Sequence, residues 1–213
     1  MIIKKFLFNP FPVNTYVLSN EQSKEAAVVD PGCYNCDELQ TLVDYLESNG
    51  LKLKYILLTH LHLDHCFGIT LLKKVYPDAV FCANDRDDFL LKGAAQQAAA
   101  YGLQMPAETI DIETNLDQGD ELKLGEEKID VIAVPGHSPG SLCYYMPDSN
   151  NIIVGDVLFK QSIGRTDLPK GNHRDLLSNI ESKLFTLPAR TVVYCGHGPE
   201  TTIGDEINFN PFF

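Results

Sequence analysis

The sequence predicts an α/β fold in which two strand-rich halves each carry helices. Short apolar, β-rich runs recur along the whole chain, and helical patterns interrupt them in both halves. Hydrophobic residues make up 44% and charged residues 22% with no repetitive tract, so 213 residues suffice to bury a full core. One domain spanning 1–213 is the default expectation. The pattern fits two sheets packed face to face with helices outside, and it also fits an open α/β sheet.

Residues 5–8, 15–19 and 26–30 read as strands, separated by Asn9-Pro-Phe-Pro12 and by the polar stretch 20–24. Asp37 is expected to cap a helix running to about Asn49, with Leu39, Leu42, Val43 and Leu46 on one face and Gly50 ending it. Residues 54–58 read as a strand, 69–76 as a helix, Val80–Ala83 as a strand, and Asp85 as the start of a helix to Tyr101. The stretch 102–119 reads as irregular. Strands are then expected at Glu121–Leu124, 129–134, 141–146, 152–154 and 191–195, interrupted by a helix near 174–185.

The formal charge of -12, with no basic stripe against it, disfavours nucleic acid as a partner. The N-terminus lacks the long apolar run and small-residue cleavage site of a signal peptide, and no segment approaches a membrane span, so a cytoplasmic protein is expected. The six cysteines lie scattered in apolar stretches, as expected for reduced thiols. Cys33 and Cys36 form a lone CxxC within a turn, which is a weak signal for metal or redox chemistry.

The strongest signal is Thr59-His-Leu-His-Leu-Asp-His65, which follows the expected strand 54–58. It places four potential metal ligands, His60, His62, Asp64 and His65, at the end of a rigid element. In an extended chain His60 and His62 point to one side, while Asp64 and His65 diverge, so the segment would serve two neighbouring pockets. His137 in Pro135-Gly-His-Ser-Pro-Gly140 and His197 in Cys195-Gly-His-Gly-Pro199 occupy strand-ending turns. Asp156 ends the apolar run Ile153-Val-Gly-Asp156, an odd place for a carboxylate beside buried surface. Any one of these histidines alone is an ordinary surface or capping residue; the set points to metal. His173 sits near a helix start without companion ligands and is left out, and Cys66 is expected to pack rather than ligate. Seven nitrogen and oxygen donors without a thiolate suit Zn²⁺ and also admit Fe or Mn.

The order of motifs, HxHxDH, GHSPGS, GD and GH, resembles the metallo-β-lactamase superfamily over nearly the whole chain. The resemblance implies an αββα sandwich. It also implies two divalent metal ions, one held by His60, His62 and His137, the second by Asp64, His65 and His197, with Asp156 bridging. Two ions about 3.5–4 Å apart acidify a shared water. The implied chemistry is hydrolysis by a metal-bridging hydroxide that Asp64, besides ligating, would orient. No G-x-S-x-G elbow suggests a serine nucleophile instead.

Gly155-Asp-Val-Leu-Phe159, Ile163-Gly-Arg-Thr-Asp-Leu-Pro169, Val193-Tyr-Cys-Gly-His-Gly-Pro-Glu-Thr-Thr202 and the final Asn-Pro-Phe-Phe213 are similar to glyoxalase II (hydroxyacylglutathione hydrolase) and its short bacterial relatives. That implies a thioester hydrolase acting on S-lactoylglutathione or a related acyl-thiol. Glutathione-specific members carry a C-terminal helical domain that supplies basic residues, whereas only a short segment follows His197 here. Arg165 and Lys170 are the candidates for meeting an anionic substrate, with an Arg165–Asp167 ion pair as the competing expectation. Tyr144 and Tyr145 alternate on one strand, so at most one would face a cleft.

Persulfide dioxygenases share this fold and a similar Gly-Arg-Thr-Asp loop. They would use a single iron, here held by His62 or His60 with His137 and Asp156. A non-catalytic relative would have lost ligands, and none is missing. Nucleic-acid-processing members are disfavoured by the acidic charge, and a secreted β-lactamase by the lack of a signal peptide.

Overall fold

Two six-stranded sheets carry the architecture, and a computed structural model describes residues 1–105 and 110–213 of it. The first sheet runs β1 (Ile2–Phe8), β2 (Val13–Ser19), β3 (Glu25–Val29), β4 (Lys52–Leu57), β5 (Val80–Ala83) and β6 (Thr114–Asn115) in spatial order. Its first three strands pair antiparallel and the rest parallel. Between β3 and β6 lie α1 (Cys36–Ser48), α2 (Leu63–Cys66), α3 (Ile69–Val75) and α4 (Asp88–Ala100).

The second sheet contains β7 (Glu121–Leu124), β8 (Glu127–Ala133), β9 (Leu142–Met146), β10 (Asn151–Gly155), β13 (Val192–Cys195) and β14 (Thr201–Thr202), in the order β14-β13-β10-β9-β8-β7. A small hairpin, β11 (Leu158–Phe159) and β12 (Ser162–Ile163), follows β10. The helix α5 (His173–Asn179) precedes β13, and α6 (Ile203–Phe209) follows β14.

Side-chain alternation explains why the sheets stack. On β3, Ala27 and Val29 join Tyr16, Leu18 and Leu57 in the space between the sheets, where they meet Leu124, Ile129, Val131, Tyr144 and Ile153. Ala26 and Val28, pointing the other way, pack beneath Leu42 and Leu46 of α1 and Leu72 of α3. Ile152, Val154 and Val193 cover the outer face of the second sheet against Leu176 of α5 and Ile203 of α6. The result is four layers, the αββα sandwich, with strands buried on both faces.

Several expected boundaries are corrected. Helix α1 is capped by Asn35, whose side chain accepts from Glu38 N–H, so Asp37 lies inside the first turn. The expected helix from Asp85 opens as a tight 3₁₀ turn at Asp85–Asp87 before α4 begins. The irregular stretch contains β6, and its part at 106–109 lies outside the described residues. The segment carrying His60 to His65 is extended only as far as His62, then coils into α2. Strand β14, the β11–β12 hairpin and α6 were not expected at all. Too short for a period to register, the strands leave no pattern, and α6 is a seven-residue helix with three polar or charged positions and a glycine.

Candidate metal centre

The strands β3, β4, β8, β10 and β13 end at one edge of the sandwich, and the loops that follow carry Asp30, the His60–His65 segment, His137, Asp156 and His197. Both sheets are tied together there. The Tyr16 hydroxyl donates to Cys195 C=O at 2.7 Å, and the Tyr144 hydroxyl donates to Leu58 C=O at 2.7 Å. Leu142 N–H donates to Thr59 C=O, and Asn14 Nδ2 donates to Cys195 and Gly198 carbonyls. These rigid ends hold the loops where the side chains must converge.

All seven sequence-derived candidates come together. Donor atoms form three overlapping groups, His60/His62/His137, His60/His65/Asp156 and Asp64/His65/His197, each with its atoms within 4.8 Å of one another. His62 Nδ1 lies 2.9 Å from His137 Nε2. His65 Nε2 lies 3.5 Å from Asp156 Oδ1 and 3.7 Å from Asp64 Oδ2. His197 Nε2 stands 3.2 Å from Asp64 Oδ2 and 3.6 Å from Asp156 Oδ2. Ligands about 2.0–2.2 Å from a tetrahedral ion are spaced in this range.

The donor set fits cations on a further ground. His60 Nε2, His65 Nε2 and Asp156 Oδ1 are buried with no hydrogen-bond partner. Unpaired buried polar atoms are costly and therefore rare. Meanwhile the opposite ring nitrogens are occupied. His65 Nδ1 bonds Asp30 Oδ2 at 2.9 Å, His137 Nδ1 bonds Arg165 C=O at 2.8 Å, and His197 Nδ1 bonds Pro12 C=O at 3.1 Å. His60 Nδ1 pairs with Thr59 Oγ1, which itself donates to Asp30 Oδ2. Bonding of this kind directs the lone pair of the other nitrogen into the cluster, as in metal-bound histidines.

Electrostatics agree with that reading. Burial opposes charge on His65, yet Asp64, Asp156 and Asp30 outweigh it and hold its pKa well above the usual histidine value. Burial, then the neighbouring rings, hold His60 well below that value and His62 down at about 4. Asp64 and Asp156 are both held below the carboxylate range, because His65 and His197 outweigh the burial that would raise them. Without an ion the cluster thus keeps a proton on His65 to offset its carboxylates, and a cation would take over that role.

Two supporting carboxylates escaped the sequence reading. Asp30, fully buried at the end of β3, accepts from Thr59 N–H, Thr59 Oγ1 and His65 Nδ1. Asp87, also fully buried, accepts from Ser138 Oγ at 2.6 Å, Gly140 N–H at 2.7 Å and Leu61 N–H at 3.3 Å. It clamps the His137 loop to the His60–His65 segment; burial raises its pKa against the pull of these bonds. Asp30-Pro-Gly reads as a turn and Asp87 as one acid among several in Asn84-Asp-Arg-Asp-Asp88, so neither carries a metal-like spacing.

The weaker candidates divide. Arg165 lines the cleft over the metal cluster, but its guanidinium bonds Asp167 through both Nε and Nη2, at 2.7 and 2.8 Å. Lys170 stands 3.7 Å over the Phe89 ring. Tyr144 points into the core and Tyr145 packs on the outer face of its sheet, so neither lines the cleft. Cys66 is buried and packs in the α1 and α3 layer, Cys33 is buried and Cys36 exposed. His173 is exposed at the start of α5.

A fold of two packed sheets with a histidine and aspartate cluster at one edge defines a class, and the chain belongs to the metallo-beta-lactamase superfamily, whose family model matches residues 8–197. It is 35% identical over 192 residues to the hydroxyacylglutathione hydrolase GloC of Haemophilus influenzae, covering 90% of this chain and 89% of that protein. Among solved structures it is similar to BLEG-1, a B3 metallo-beta-lactamase, with a TM-score of 0.87 and 37% identity over 99% of both chains. The TTHA1623 protein, solved in a di-iron-bound form, matches with a TM-score of 0.87 and 33% identity, over 99% of this chain and 100% of that one. Among the described residues no helix is long and apolar enough to cross a membrane.

Proposed function

We propose that the chain is a dinuclear metallohydrolase of acyl thioesters, such as S-lactoylglutathione or a related acyl-thiol. The observation that carries the reading is the overlap of three donor groups that share His60 and His65. One cation would sit among His60, His62 and His137 and a second among Asp64, His65 and His197, with Asp156 between them. Zn²⁺ suits the imidazole and carboxylate set, and Fe or Mn suits it too. When bound, such ions acidify a water and polarise an acyl carbonyl.

The chain's own residues supply the rest. Asp64 faces the cleft and, besides helping to hold a cation, is assigned to orient the attacking water. Water oxygen bonds to the acyl carbon, the carbon–sulfur bond breaks, one proton of that water ends on the departing thiolate and the other is released to solvent, leaving a carboxylate and a thiol. Phe11, Leu63, Tyr101 and Leu168 wall the cleft and limit water at the reacting carbon. Of the two cations proposed to meet an anionic substrate, Arg165 lines the cleft but is engaged by Asp167, and Lys170 is held over the Phe89 ring. A reducing compartment such as the cytoplasm suits the five buried, unpaired cysteines.

Metal per chain, measured on protein purified without added metal, tests this together with turnover of S-lactoylglutathione, hydrolysis of a penicillin and oxygen uptake with glutathione persulfide. About two metals with thioester turnover is the expected result. The likeness to a B3 metallo-beta-lactamase makes a β-lactam the competing acyl substrate, and penicillin turnover exceeding thioester turnover would replace the reading. One iron per chain with persulfide-dependent oxygen uptake would replace it with an oxygenase.

A further inference from the structure

The cleft over the metal cluster has a volume of ≈ 280 Å³, and beside it lies a second cavity of ≈ 370 Å³. His62, Gln97 and Leu168 line both, so the two spaces adjoin at the first group of ligands. Six residues of the second cavity, Phe89, Leu90, Gly93, Ala100, Leu168 and Pro169, offer almost only hydrocarbon. They come from α4 and from the loop ahead of α5.

On the opposite flank, at His197, the neighbouring cavity of ≈ 430 Å³ is lined by Lys160 and Gln161 together with Phe159. The reacting centre is therefore flanked at His62 by a groove in which these hydrocarbon walls stand beside two amides, Gln96 and Gln97, and at His197 by a cavity that carries a cation, Lys160. A thioester has the same polarity, a polar carrier on the sulfur side and a hydrocarbon on the acyl side.

We propose that the groove between α4 and residues 168–169 binds the hydrocarbon acyl portion of the thioester, so that the enzyme selects acyl chains longer than acetyl or lactoyl. This rests on the thioester hydrolase reading above. Binding sites for small molecules are typically about 300–1,000 Å³ and mostly apolar, with a few polar groups to orient the ligand, and the groove meets that description. The Lys170 ammonium lies 3.7 Å from the centroid of the Phe89 ring, one wall of the groove.

Gly93 gives a direct probe. A Cβ built on it meets nothing within 4 Å, so a larger side chain there enters the groove without striking the fold. Replacing a helical glycine also favours the helix, so Gly93→Leu is expected to fold. Ala100→Phe, one wall further along α4, is the second variant and guards against an effect peculiar to residue 93.

The experiment measures kcat/KM on metal-loaded protein for S-acetylglutathione and S-hexanoylglutathione. Each buried methylene contributes several-fold, so the wild-type ratio should favour hexanoyl by about tenfold or more, and both variants should collapse that ratio. A flat wild-type ratio, or a ratio that survives both substitutions, overturns the proposal. A parallel arm titrates the loaded proteins calorimetrically with S-hexylglutathione and S-methylglutathione, thioethers that cannot be hydrolysed. If no thioester turns over but S-hexylglutathione binds about tenfold more tightly than S-methylglutathione and loses that advantage in both variants, the groove stands and the hydrolase reading fails. If thioesters turn over and neither the hydrolysis ratio nor the binding difference depends on residues 93 and 100, the hydrolase reading stands and the groove assignment fails.

Discussion

Asp30 illustrates how one residue sets several others. It is a non-glycine residue with φ of 51°, and that left-handed turn aims its carboxylate at Thr59 and His65 together. Replacing it with alanine leaves His65 Nδ1 and Thr59 N–H without their acceptor. Loss of such outer bonds generally costs about 10–100-fold in metal affinity. Asp30→Ala is therefore expected to lose metal on dialysis that wild type survives, measured as metal per chain; full retention would remove Asp30 from the account.

The charge on His65 sets a pH dependence. Its pKa in the metal-free fold is raised above 6.5, so its stabilising charge is complete below 6.5 and is lost as pH rises through the raised value. A cation must displace that proton, so metal binds better as pH rises while the metal-free chain weakens. The gain in melting temperature on metal loading should thus be larger on the alkaline side of neutrality than on the acid side. A gain that shrinks with rising pH would show that His65 is not the group displaced.

At the scale of elements, strand ends do the positioning. β10 closes on Gly155 with φ of 53°, and a Cβ there would lie 2.2 Å from Thr59 Oγ1, so only glycine lets the chain turn into Asp156 against the neighbouring loop. Gly155→Ala is expected to lose about 2 kcal/mol or more of stability, from backbone strain and collision together, read by denaturant unfolding of the metal-free protein. The far end of the chain reaches the same region. Buried Glu206 of α6 accepts from Thr201 Oγ1, Asn210 Nδ2 and Gln161 N–H, and so pins α6 to the β11–β12 turn that follows Asp156. Glu206→Ala removes those bonds and should cost about 3 kcal/mol, seen as an earlier thermal transition.

For the whole molecule, a formal charge of -12 and a cluster holding Asp30, Asp64 and Asp156 at one edge would make cations bound there part of the folded state's energy balance. Ligands that bind only the native chain stabilise it by mass action. Chelation is expected to lower the melting temperature by several degrees and abolish hydrolysis, with both restored by added Zn²⁺, Fe or Mn. An unchanged transition after verified metal removal would mean that the cluster is held by the protein alone.

Much of this was legible in the chain itself. His60, His62, Asp64, His65, His137, Asp156 and His197, which the fold gathers into one cluster, stood out as candidate ligands because ligand chemistry needs particular residue types and because the motifs follow apolar runs, a local property. The core strands were legible for the same reason, since side-chain period and turn residues are written within a few positions. What required the tertiary structure was everything set by residues distant in sequence: the choice of a face-to-face sandwich, the partners of Asp30 and Asp87, the pinning of α6 through Glu206, and the groove between α4 and residues 168–169. A buried carboxylate bonded to loops up to 53 positions away has no periodic or spacing signature. Its role exists only once packing has excluded water and left those groups no other partner.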